Sequence, residues 1–128
     1  MDWRIELQSD GSLMRVTTSG LFQLRQQQQM FDELGAHPAF SHRLPLLFDN
    51  REIDMSSSDI NVIRQSVDIL QEFMRKREVE RVAGLVDAGV NFGVGRQFEI
   101  LADWGGGRDF RLFNDEQLAL HWLRGEPL

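Results

Sequence analysis

Two aspartates, three serines, a glycine–arginine turn and three histidines are the residues of this chain whose types and spacing invite chemistry. Asp49 closes the apolar run Leu44-Pro45-Leu46-Leu47-Phe48, and Asp87 closes Val82-Ala83-Gly84-Leu85-Val86. On neighbouring parallel strands, two such carboxylates would stand at the edge where open α/β sheets bind ligands, and their hard oxygens suit a divalent cation. The plainer reading is that each opens a loop by accepting nearby backbone N–H groups. A phosphoacceptor aspartate would also need a lysine from a later strand, and the sole lysine, Lys76, falls at a helix end. Ser56, Ser57 and Ser58 precede an amphipathic run. A phosphate there would meet unpaired N–H groups and the positive end of a helix dipole. Serine is equally a good N-cap. Gly89, Gly93 and Gly95 with Arg96 suit a small anion-binding turn or simply a tight one, and they match neither a P-loop nor a dinucleotide fingerprint. His37, His42 and His121 show no metal-ligand spacing, and there is no nucleophile elbow. The expectation is a protein that is not an enzyme and holds no metal or cofactor.

Composition supports binding over chemistry. The chain has 128 residues, 41% hydrophobic and 27% charged, with 14 basic against 20 acidic side chains. That length suits one domain spanning 1–128, with enough residues to close a single core. A net charge of −6 argues against nucleic acid, since phosphate binding needs a basic surface. With no cysteine, disulfides, thiol catalysis and cysteine-ligated metals are excluded. No apolar run approaches the roughly 20 residues that span a bilayer, so no membrane insertion is expected. The opening Met1-Asp2-Trp3-Arg4-Ile5-Glu6 alternates polar and apolar residues, unlike a signal peptide, and a cytoplasmic location follows as an expectation.

The elements that must position these residues can be read from periodicity. Trp3, Ile5 and Leu7 alternate with polar residues as in a half-buried strand. Ser9-Asp10-Gly11 turns the chain into a second strand over about 12–19. A helix is expected from Gln23 to Gly35, with Leu24, Phe31 and Leu34 inward and Gln26–Gln29 forming a solvated turn. The run ending at Asp49 reads as a central strand covered on both faces. Ile60, Ile63, Val67, Leu70 and Phe73 then mark the long helix. The run ending at Asp87 is the fourth strand, and Val94, Phe98 and Leu101 lie on a third helix stopped by Gly105-Gly106-Gly107. Phe110–Phe113 is the last strand, and Leu118, Ala119, Trp122 and Leu123 face inward from a final helix capped by Asn114, with Gln117 at its third position as in a capping box. Trp104 and Trp122 should face the sheet. The order β-β-α-β-α-β-α-β-α implies an α/β fold, with an N-terminal antiparallel hairpin followed by largely parallel strands.

The closing Phe110-Arg111-Leu112-Phe113-Asn114-Asp115-Glu116-Gln117-Leu118-Ala119-Leu120-His121-Trp122-Leu123 resembles the final strand and helix of the SpoIIAA-like family, related to the STAS domain of anti-sigma-factor antagonists. Gly93-Val94-Gly95-Arg96-Gln97-Phe98 is similar to a Gly-x-Gly-Arg turn of some members. The resemblance covers essentially the whole chain, and it implies a single STAS/SpoIIAA-like sandwich with a five-stranded mixed sheet and about four helices. It also implies a bacterial regulatory or protein-interaction module without enzymatic activity, bound to an unidentified protein partner and compatible with a homodimer. In STAS proteins a loop serine before the long helix is phosphorylated by a partner kinase. Here Ser56, Ser57 and Ser58 fall near that place, though Asp59 stands where the family pattern Asp-Ser-Ser-Gly has glycine. The expected partner or ligand surface comprises Asp49, Arg51, Asp54, Asp87, Gly93, Gly95 and Arg96. Related proteins share their architecture with lipid carriers, which implies a second possibility: a small apolar, lipid-like ligand between sheet and helices.

Overall fold

The computed structural model describes residues 1–8, 10–87, 96, 99 and 109–125. Among these residues the chain forms five strands and three helices: β1 (Asp2–Leu7), β2 (Met14–Leu21), α1 (Leu24–Ala36), β3 (Leu46–Asp54), α2 (Ile60–Arg77), β4 (Arg81–Leu85), β5 (Asp109–Phe113) and α3 (Glu116–Leu123). The segment expected to carry a helix with Val94, Phe98 and Leu101, together with Trp104 and the triple glycine, lies outside the described residues.

The sheet follows chain order, β1-β2-β3-β4-β5. The first pair is antiparallel and the other three are parallel, as expected from the alternation of strands and helices. The hairpin closes through Gly11, whose N–H donates to Gln8 O (2.8 Å) and whose φ of 71° is open to glycine without strain. The Asp10 carboxylate steadies the turn by accepting from the Ser12 amide (3.0 Å).

Because successive parallel strands all step the same way, right-handed crossovers place α1 and α2 on one face of the sheet. That face holds the larger core. Met14, Val16, Leu46, Phe48, Val82 and Phe110 point up from the strands to meet Met30, Phe31 and Leu34 of α1 and Val67, Leu70, Phe73 and Met74 of α2. Phe31 sits at its centre, 5.5 Å from Phe48 and 4.7 Å from Phe73 between ring centroids. The intervening strand residues face the other way. Leu47, Ala83 and Leu85 pack there with Leu13 against Ala119 and Leu123 of α3.

Asp115, not Asn114, is the N-cap of α3, its carboxylate accepting from the Leu118 amide, and the Leu118 side chain is exposed rather than inward. Three further local readings of the sequence need correction. First, β3 does not stop at Asp49 but runs on to Asp54, placing Asp49 in mid-strand. A carboxylate is tolerated there because arginine side chains neutralise it. Second, the glutamine run is not simply a solvated turn, since Gln27 is buried at 5% exposure. It lies three, four and seven residues before Met30, Phe31 and Leu34, on the stripe that faces the core. Third, the serines do not cap α2. Asp59 is the N-cap, its Oδ1 accepting from the Val62 amide at 2.9 Å, a charge-assisted bond at the positive end of the helix.

Candidate functional site

Two groups of polar residues lie on opposite faces of β2 and β3, and the alternation of side chains along these strands separates them. On the α3 face, Arg15 of β2 and Arg51 of β3 converge on Asp49. Arg15 Nη2 donates to Asp49 Oδ2 at 2.7 Å, while Arg51 donates from Nε to Oδ1 (2.9 Å) and from Nη2 to Oδ2 (2.8 Å). Both arginines also reach Glu116, the first residue of α3, at 2.6 and 3.3 Å. The Asp49 side chain is 8% exposed, whereas that of Arg51 is 43% exposed. Burial by itself raises the Asp49 pKa. The hydrogen bonds from Arg51 and Arg15 outweigh it and bring the carboxyl down to about 2. Its chemistry is therefore structural: an ionised clasp that ties two strands to a helix.

The alternative in which Asp49 and Asp87 together hold a cation finds no support. Asp49 is paired in register with Leu85, and Asp87 lies beyond the end of β4, exposed. Asp49 is also a correction to the expected docking surface, because a buried carboxylate holding two guanidinium groups is not offered to a partner. Arg51, Asp54, Asp87 and Arg96 are exposed. Arg96 pairs with Glu99 (2.7 Å), whose second oxygen accepts from the Leu112 amide of β5. Gly93 and Gly95 lie outside the described residues. Among the described residues no three metal-ligating side chains gather to hold an ion.

The serines occupy the turn between β3 and α2. Ser56 and Ser57 are exposed and Ser58 is half-buried. The Ser56 amide donates to Asp54 Oδ1 at 2.9 Å, and the hydroxyl and amide of Ser56 together lower the Asp54 pKa. The Ser58 amide donates to Met55 O, closing the turn just ahead of the Asp59 cap.

On the other face, beneath α1 and α2, lies a cavity of about 100 Å3. The sheet is wound in one direction, so its parallel strands offer no switch point at which a crevice would open. The space lies instead between strands and helices. Phe48, Gly84, Phe110 and Leu112 line it from the sheet, and Met30, Phe31 and Leu70 from the helices. Its polar lining is Thr18, Asn50, Gln27 and Ser66.

A β-bulge delivers β3 to both sites. Thr17 pairs with Asp49 and Ser19 with Glu52, so β3 carries one extra residue between them. Arg51 accordingly stays on the Asp49 face, while Ile53, two residues on, lines the cavity on the opposite side. Asn50 also lines the cavity, where its Oδ1 accepts from the Thr18 hydroxyl at 2.6 Å.

No protein-family model and no curated protein sequence matches the chain. One solved structure does. It is the crystal structure of an uncharacterised protein of the DUF3478 family, with a SpoIIAA-like fold, from Shewanella loihica PV-4. The match has a TM-score of 0.58 and covers 95% of this chain and 92% of that one, at 20% sequence identity. The fold is SpoIIAA-like. Sequence read this from the strand and turn motifs of the last third; a ligand space between sheet and helices was its second reading, whereas the clasp of this SpoIIAA-like sheet was not anticipated. Arg15, Glu116, Thr18, Asn50 and Ser66 gave no signal in their spacing. Gln27 did, because it falls on the apolar stripe of α1.

Proposed function

We propose that the protein is a non-enzymatic, cytoplasmic regulatory or protein-interaction module, switched by phosphorylation in the turn between β3 and α2. The observation that carries this reading is the exposure of Ser56 and Ser57 between the carboxylates of Asp54 and Asp59. A phosphate there adds a charge of about −1.5 to −2 within an already acidic turn. It breaks the Ser56–Asp54 contact or crowds the Asp59 cap, so the modification acts by repulsion and loosens the entrance to α2. The docking face comprises Arg51, Asp54, Asp87 and Arg96, together with Gly93 and Gly95, and a homodimer is compatible with it. Asp49 takes no part in acid–base chemistry, because two arginines hold it ionised near neutral pH.

The test is mass spectrometry of protein purified from its own host, following the tryptic peptide Glu52–Arg64. One phosphate on Ser56, Ser57 or Ser58 is the expected result. An unmodified peptide under every growth condition removes the switch. Sedimentation at micromolar concentration settles the dimer separately.

A second reading, as a carrier or sensor of a small apolar ligand, is favoured by the cavity under α1 and α2. It occupies the opposite face of β3 from the Asp49 clasp, and Met55 of the serine turn is among its lining residues.

A further inference from the structure

We infer that the outer edge of β1 docks a second copy of this chain, β1 against β1, antiparallel about a two-fold axis at Ile5. This gives the homodimer a specific interface. It lies apart from the serine turn, so it stands independently of the switch.

Register turns a row of backbone groups on β1 outward. Among the described residues β1 lies at one end of the sheet and pairs with β2 alone. The Gln8 amide donates to Leu13 O at 3.0 Å, so this pair bonds across the hairpin. The next residue along, Met14, donates instead to Pro45 O, just ahead of β3 (3.1 Å). Bonded and non-bonded pairs alternate along an antiparallel ladder. Arg4 and Glu6 therefore bond to β2, whereas the N–H and C=O groups of Trp3, Ile5 and Leu7 point away from it. Such an edge is a template for another strand. It also has an apolar rim, since Leu7 is 43% exposed on the same face as the partly buried Trp3 and Ile5.

Charge decides which strand fits and in what register. On the other face of β1, Arg4 and Glu6 carry exposed side chains of opposite sign, joined at 2.8 Å. Directly opposed residues share a face of the sheet, so a two-fold axis must pass through a residue and not between two. Centred on Ile5, it sets Arg4 against the partner's Glu6 and Glu6 against the partner's Arg4. The outward backbone of Ile5 meets its own copy, and Trp3 covers the partner's Leu7. Centred on Arg4, the axis opposes Arg4 to its copy and Asp2 to the partner's Glu6. Centred on Glu6, it opposes two glutamates. Centred on Trp3, it pairs Asp2 with the partner's Arg4, but over a shorter overlap that leaves Leu7 uncovered. Unlike charges directly opposite stabilise a strand pair and like charges destabilise it. The Ile5 register alone joins both charges and covers the exposed leucine.

Sedimentation velocity across a concentration series reads the dimer affinity. A single strand edge is a small interface, and the wild-type protein is expected to dimerise with a Kd of about 10–100 µM. Arg4→Glu and Glu6→Arg should each weaken it by about tenfold, because both symmetry-related pairs turn from attraction to repulsion. The double variant should return to within about threefold of the wild type. An equimolar mixture of the two single variants should form a heterodimer. General charge repulsion predicts a different pattern, since Glu6→Arg makes this acidic chain less negative and would strengthen association. Leu7→Pro removes an outward N–H and no bond to β2, so it should abolish the dimer while circular dichroism shows the fold intact. A wild-type protein still monomeric at about 500 µM overturns the proposal and leaves the edge to a strand of another protein. A dimer that Glu6→Arg does not weaken overturns it equally, because the contact then lies elsewhere. Should Leu7→Pro fail to fold, the charge exchange decides alone.

Discussion

The Asp49 carboxylate lies in mid-strand beneath two guanidinium groups, and its removal leaves both short of a partner. Breaking a fully buried pair costs about 3–5 kcal/mol. Because the Arg51 side chain is 43% exposed and regains water, we expect Asp49→Ala to cost nearer 2 kcal/mol by urea denaturation. The pH dependence has a fixed sign. The folded pKa of about 2 lies below the ordinary aspartate value, so the contribution is complete above about pH 4 and is lost as the pH falls toward 2. Stability of the wild-type protein should therefore fall more steeply over that range than stability of Asp49→Asn. Parallel slopes would remove the clasp as a source of acid sensitivity. The residue was conspicuous in the sequence as an acid closing an apolar run, but its role was not. A carboxylate that ends a strand and one that is neutralised within it give the same local pattern, and Arg15, which distinguishes them, lies 34 residues away.

At the scale of elements, α2 ends without glycine. Glu78 takes up the left-handed conformation (φ 58°, ψ 34°), and its N–H donates to Met74 O. This position favours glycine, and a carboxylate at the negative end of the helix dipole adds an unfavourable charge. Arg75, Lys76 and Arg77 in the last turn partly offset it. Glu78→Gly should stabilise the protein by about 0.5–1 kcal/mol, raising Tm by roughly 2–5 °C in a thermal melt. A lower Tm would mean that the side chain has a role beyond the cap. The existence of α1, α2 and α3 was legible because their apolar residues recur at helical spacing. Their boundaries were less so. The serines before α2 and the aspartate after them are all competent caps, and only the bond from the Val62 amide selects Asp59. The bulge in β3 was not legible at all, because it depends on register against β2, and alternation along one strand carries no information about its neighbour.

For the whole molecule, the one-way winding of the sheet divides the core unequally. α1 and α2 share the larger cluster, while on the opposite face, among the described residues, the eight-residue α3 rests on Leu47, Ala83 and Leu85. A short helix buries little apolar area, so its hold on the sheet depends in part on Glu116 reaching Arg15 and Arg51. Elements with few buried contacts open at lower free energy than the centre of a sheet. The amides of α3 should accordingly exchange with solvent through openings that leave the β2–β3 ladder closed. Glu116→Gln removes the ionic part of the contact while keeping its shape. With Glu116 about one-third exposed, a loss of about 0.5–1 kcal/mol is expected. That corresponds to exchange from α3 faster by about two- to fivefold, with β2 and β3 unchanged. Equal acceleration across the sheet would show that the clasp is part of the global core, and that the two faces of this fold open together.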